Sequence, residues 1–174
     1  MAANIYPWIK FIHIVAGFTF LMTHGASVAL SFRLKQEAHL DYFRKEHHLE
    51  RIRAYLDLSG QLWLASMSSL VVLVVAGIIA AFLGHWWGRG WIWASIIVLI
   101  VMIVWMRIPT REIHELRVET GLPYRLKGKM HPPDEPKEIE EIEHLLLTTH
   151  PWLITIIGYG GMVLIIWLMM FKPF

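Results

Sequence analysis

Four stretches of this 174-residue chain carry no charged side chain: 11–32, 58–88, 90–106 and 144–171. Nothing else in the sequence restricts the fold as strongly. A helix crossing the hydrocarbon core of a bilayer needs about 20 mostly apolar residues. The first, second and fourth stretches exceed that length. The third, GWIWASIIVLIVMIVWM, sits at the lower limit, which a short helix satisfies. Lipid offers no hydrogen bonds, so each span must satisfy its backbone internally. The expectation is an all-α polytopic membrane protein. It is a single membrane domain over 1–174, a four-transmembrane-helix bundle with spans near 7–32, 61–84, 91–107 and 151–171. Two helical cytoplasmic loops, 33–60 and 107–149, complete it.

The first span is not read as a signal peptide, despite a weak small-residue site at Ser27-Val28-Ala29. Its apolar run exceeds a signal core and ends in the basic residues Arg33 and Lys35. Cysteine is absent. That excludes disulfides, cysteine-ligated iron–sulfur clusters and covalently attached c-type haem. Any metal or cofactor must be held by His, Met, carboxylate or backbone.

All 14 acidic and 13 of the 16 basic residues lie in the two loops; only Lys10, Arg89 and Lys172 lie elsewhere. Positive-inside asymmetry places both loops in the cytoplasm and both termini on the outer side of an inner or plasma membrane. The high sequence pI, about 9.0, therefore reflects membrane topology. Acidic and basic residues are interleaved in both loops, which argues against a nucleic-acid partner. Trp86, Trp87, Trp91 and Trp93, with Trp8, suit an outer aromatic belt, and Trp63, Trp105 and Trp152 an inner one.

The first loop has no proline. Leu40, Phe43, Leu49, Ile52 and Leu56 recur at helical spacing, so it reads as a helical hairpin or an extension of the first two spans. A membrane-surface helix is the rival reading. His47 and His48 are adjacent, do not share a helix face, and read as solvated. In the second loop Pro132, Pro133 and Pro136 stop any helix, and Lys137–Thr149 then reads as an acidic amphipathic helix. Glu140 and His144, four apart, supply only two ligands of a usual four and read as a solvated face.

The chemistry inside the membrane rests on the histidines of span one. His13 and His24 are eleven residues apart. They return to within about 20° of one helix face, roughly 16 Å apart along the axis. Gly17 lies one turn after His13 and lets a planar group or another helix approach. Two readings stay open. In one, each histidine makes an interhelical hydrogen bond, with Ser66, Ser68 and Ser69 of span two within reach of His24. In the other, they are axial ligands of haem b, with Met162 expected near the depth of His13 and Met67 near that of His24. The segment Gly158-Tyr159-Gly160-Gly161 reads either as a close helix crossing or as a flat surface for a porphyrin, with Tyr159 bonding a propionate or a histidine.

The stretch WIKFIHIVA (Trp8 to Ala16) resembles the W-x-K-x-x-H opening of small four-helix membrane proteins of the HemJ type. These are haem-containing protoporphyrinogen oxidases, related to CopD-like copper-resistance membrane domains. The ending FKPF is similar to the HemJ-type C-terminus. The resemblance implies that His13 is a haem-site residue. The family's arginine in helix one would fall near Ala29 and its lysine at the start of helix three near Ser95. Both charges are missing, so the oxidase activity itself is not implied.

The leading expectation is a haem b protein acting in electron transfer, with quinol or a partner complex as electron donor. A non-catalytic accessory subunit of a larger membrane assembly, or a homo-oligomer, is the alternative. CopD-like metal handling is the third reading.

Overall fold

In a computed structural model the regular structure of the described residues is helical apart from one short hairpin. The structure describes residues 2–39, 48–126, 129–132 and 135–174. Its elements are α1 (Ala2–Glu37), α2 (His48–Leu83), α3 (Gly90–Trp105), α4 (Arg107–Glu119), β1 (Tyr124–Leu126), β2 (Lys129–His131), α5 (Ile139–Thr148) and α6 (Pro151–Phe171). Among the described residues four helical stretches are long and apolar enough to span a membrane: Ile5–Glu37, His48–Leu83, Gly90–Glu119 and Pro151–Phe171. The strands pair antiparallel, Tyr124 opposite His131.

Helices α1 and α2 form the most extensive pairing, and α3 packs on α6. Both α1 and α2 run well past the 7–32 and 61–84 expected of them, because charged residues continue the helix beyond the apolar block. The hairpin reading of the first loop is thus realised as two helix extensions. Leu40 and Phe43 of its apolar stripe lie outside the described residues.

The third apolar block ends where the sequence breaks its backbone. Pro109 cannot donate to the carbonyl of Trp105, and its ring would crowd that carbonyl. The chain turns at Met106 and restarts as α4, with Pro109 in the first helical turn, where it is tolerated. Gly121, at φ 68°, then closes α4. Leu122 N–H donates to the Arg117 carbonyl at 3.1 Å, a Schellman-type ending.

Two cores result. Between the spans, Phe20, Met102, Met162 and Ile165 are buried together. Beyond them, Leu34, Ile52, Leu56, Leu116, Leu122, Ile142 and Leu146 form a second cluster that joins the ends of α1 and α2 to α4 and α5. This cap is also tied by polar contacts. Arg117 donates to the Pro123 and Leu56 carbonyls and to Asp57 Oδ1 (2.8, 3.1 and 2.7 Å). Lys35 Nζ donates to the Thr149 carbonyl at 2.7 Å. Glu112 accepts both His150 N–H (2.9 Å) and His150 Nδ1 (2.8 Å), which fixes the start of α6.

The opposite end is aromatic. Tyr6 and Trp86 meet edge to face, Trp86 and Trp91 lie 5.6 Å apart, and Lys172 Nζ sits 5.0 Å over Trp86. Trp91 is buried with Ala81 and Ile92, so it serves the bundle interior and not the lipid-facing belt expected of it. Trp8, Trp63, Trp105 and Trp152 are exposed, as an interfacial tryptophan should be.

Candidate functional site

The two intramembrane histidines occupy different interfaces. His13 faces α2. Its Nδ1 lies 2.8 Å from the Leu73 carbonyl. A carbonyl only accepts, so Nδ1 carries a proton, and in the neutral ring Nε2 then keeps its lone pair. Nε2 makes no hydrogen bond with the described residues. The ring lies over Gly77; a Cβ there would stand 2.9 Å from His13 Cε1, so any other residue would have to displace the ring. Gly17, one turn on, touches the same leucine: a Cβ there would meet Leu73 Cδ1 at 3.4 Å.

His24 faces α6 and is 7% exposed. Its Nε2 donates to the Ile154 carbonyl at 3.4 Å. One face stacks on Phe20 (5.6 Å, 8°), and Tyr159 meets it edge-on at 5.6 Å. The segment Ile156–Gly160 of α6 is a π-helical turn, an irregularity that often marks functional or tightly packed places. That turn carries Gly158 beneath the His24 ring, where a Cβ would overlap Nε2. The Tyr159 hydroxyl lies correspondingly close over Gly25, and Gly161 receives the Met102 side chain.

Several expectations change. The partner of His24 is α6, not the serines of α2: Ser66 donates to Thr23 Oγ1 (2.9 Å), and Ser68 and Ser69 bond carbonyls of their own helix. Met162 is 4% exposed, enclosed by Phe20, Met102 and Ile165, and is not brought to His13. Met67 is half-buried on α2 beside Ser66. Tyr159 does meet a histidine, through its ring edge. The Gly158–Gly161 segment is a close helix crossing. His48, read as solvated, is buried; His47 lies outside the described residues. Glu140 and His144 are exposed, as a solvated face requires. His85 closes the turn after α2 at φ 54° with its side chain exposed, so it does not reach inward.

The donors can be tested against haem b. His24 does not fit as a ligand: its ring already touches Gly158, Phe20 and Tyr159, and its Nε2 is spent on a carbonyl. His13 offers Nε2, which makes no hydrogen bond with the described residues, as a nitrogen that could hold the iron. An axial histidine normally donates its second ring N–H to a carbonyl or carboxylate, which orients the ring and fixes the tautomer, and the Leu73 carbonyl does this. Neither methionine is presented to His13. A lipid-side groove of about 430 Å³ runs between α1 and α2, lined by Phe11, Val15, Thr19, Ala65, Ser69 and Val72 among others. Its lining includes no histidine or methionine. Among the described residues no three His, Asp or Glu side chains converge as a metal site.

Comparison with protein-family models, curated proteins and solved structures finds no match to this chain.

Proposed function

We propose that the protein is a haem b-binding redox subunit of a membrane assembly, with His13 Nε2 as the axial donor. The observation that carries this reading is the 2.8 Å contact between His13 Nδ1 and the Leu73 carbonyl. It holds the proton on Nδ1 and leaves Nε2 as an unengaged lone pair inside the span. The likeness of WIKFIHIVA to the HemJ-type opening points to the same residue. Haem, when bound, supplies one-electron chemistry. The chain orients the imidazole through Leu73 and grants it close approach to α2 through Gly77. The tight His24 crossing holds α1 against α6 and so fixes the rotation of α1 on which the aim of His13 depends.

In this reading the cap lies in the cytoplasm and both termini lie on the outer side, as the Lys and Arg asymmetry directs. Electrons come from quinol or from a partner subunit. Protein extracted from its native membrane in mild detergent should show a Soret band that His13→Ala abolishes and His24→Ala retains. A haem-free spectrum, or one unchanged by His13→Ala, overturns the proposal.

The cap favours a second reading, a non-catalytic accessory subunit. A cluster with its own buried leucines and isoleucines outside the spans presents a folded surface to partners. Native purification should then recover a fixed set of partner chains, and a monodisperse, cofactor-free monomer counts against it.

A further inference from the structure

Every acidic side chain of the protein lies in the segments 33–60 and 107–149. The end of the bundle opposite the cap therefore has cations and no acidic side chain. They are Lys10 on α1, Arg89 in the turn between α2 and α3, and Lys172 just past α6. All three are exposed. Among the described residues none of them is in an ion pair.

Two of the ammoniums are seated on rings. Lys10 Nζ lies 4.9 Å from the centre of the Tyr6 ring, and Lys172 Nζ lies 5.0 Å from Trp86 and 5.8 Å from Trp91. Tyr6 meets Trp86 edge-on at 5.9 Å, and Trp86 meets Trp91 at 5.6 Å, so one aromatic floor carries both lysines. The backbone sets this pose. Lys172 sits at φ 47°, and its N–H donates to the Leu168 carbonyl at 3.0 Å. Two residues on, the Phe174 main-chain oxygen accepts the Trp91 N–H at 3.3 Å. The Phe174 ring lies over Gly90, where a Cβ would stand 2.7 Å from its Cδ2. Arg89 is placed by its own N–H, which donates to the Trp86 carbonyl at 2.9 Å.

A ring attracts an ammonium without neutralising it. The N–H groups turned away from the ring stay free to donate, and the gathered like charges favour an anion. That anion must also suit the surface around it. Trp8 and Trp93 stand exposed at this end, as residues at headgroup level do. Inorganic phosphate satisfies the cations alone, whereas an amphiphile with a phosphate above acyl chains satisfies cations and indoles together.

We propose that this end of the bundle is a headgroup seat for an anionic phospholipid. Lys10, Arg89 and Lys172 draw its phosphate to the Tyr6–Trp86–Trp91 floor, and its acyl chains lie along the exposed apolar side chains of the spans. No ligand at His13 enters this reasoning, so the seat stands or falls separately from haem binding.

The test uses the full-length protein in micelles of an uncharged detergent. It is titrated with phosphatidylglycerol or phosphatidylcholine carrying brominated acyl chains, and tryptophan quenching reads the binding. Phosphatidylcholine has the same phosphate but brings its own cation, which makes it the control. We expect phosphatidylglycerol to half-saturate at a mole fraction roughly tenfold below phosphatidylcholine, with about fivefold lost for each cation replaced by glutamine. Arg33→Gln, which removes an exposed cation at the cap end, should leave the preference intact. Millimolar inorganic phosphate should not displace the lipid; displacement overturns the phospholipid as occupant. Equal binding of the two lipids, or a preference that survives the combined Lys10→Gln, Arg89→Gln and Lys172→Gln, overturns the seat and leaves these cations to an acidic protein partner. Should Lys172→Gln disturb folding, Lys10→Gln with Arg89→Gln still decides.

Discussion

Replacing Gly158 with alanine tests the central crossing of the membrane bundle. In a helix free of neighbours, glycine to alanine is stabilising by about 1 kcal/mol. Here the added methyl would overlap His24 Nε2. The ring cannot retreat freely, because Phe20 lies on one face and Tyr159 at its edge. Either α6 backs away or the ring rotates and gives up the Ile154 carbonyl. Overpacking of this kind costs about 1–3 kcal/mol, and an intramembrane hydrogen bond about 0.6 kcal/mol, at most ~1.7. After subtracting the helix-propensity gain, Gly158→Ala should destabilise by about 1–3 kcal/mol. In a His24→Ala background the obstacle is gone and the same substitution should become neutral or stabilising. The double-mutant cycle then gives a coupling of about 2 kcal/mol or more, large for residues in contact. Reversible unfolding of purified protein in mixed micelles, followed by circular dichroism, measures all four corners. If Gly158→Ala stabilises the wild-type background, or has the same effect in both backgrounds, the crossing is not built on that contact.

Three further outcomes concern the cap. Leu146→Ala should cost about 2–5 kcal/mol, as for other fully buried leucines. Limited proteolysis should detect it as cleavage within 107–149 while the spans remain protected. Arg117→Met keeps much of the aliphatic stem but removes the donors to Leu56, Pro123 and Asp57; a loss of about 1–3 kcal/mol in cap stability is expected, read by the same proteolysis. Lys137 contacts Glu141 and Glu119, and their carboxylates hold its ammonium charged above the ordinary lysine range, the Glu141 hydrogen bond most of all. Its tether should thus be intact below that range and fail only as pH rises beyond it. Exchange at 137–141 in Lys137→Met should lack this alkaline step.

The four spans are legible in the sequence because length without charge is nearly sufficient for a membrane helix. The cap was partly legible too: Ile52 and Leu56 sit at helical spacing, and both are fully buried. What the sequence concealed is rotation. Helix α1 is apolar on every side, so lipid-facing and protein-facing residues look alike. Depth along the axis gave the level of His24 but not its azimuth, and the serines of α2 stood as its expected partners in place of the Ile154 carbonyl. The π-helical turn shifts the face of α6 where Gly158 and Tyr159 must meet His24, and no residue type encodes that shift alone. His48 was misread for a different reason. An adjacent histidine pair in a charged loop looks solvated until α5, about ninety residues later, brings Glu143 to cover it.

The lengths of α1 and α2 have a mechanical consequence. Each has 36 residues, about 54 Å of helix at 1.5 Å per residue. The hydrocarbon core takes up ~30 Å. Each helix is thus about 24 Å longer than such a core, and between the polar staple of Thr23 and Ser66 and the buried ends at Leu34 and Ile52 it has a single glycine, Gly25 in α1 and Gly60 in α2. The cap is therefore geared to the bundle. Cap and intramembrane histidine thus share the same two helices, since α1 and α2 run without a break from Leu34 and Ile52 to His13 and the Leu73 carbonyl.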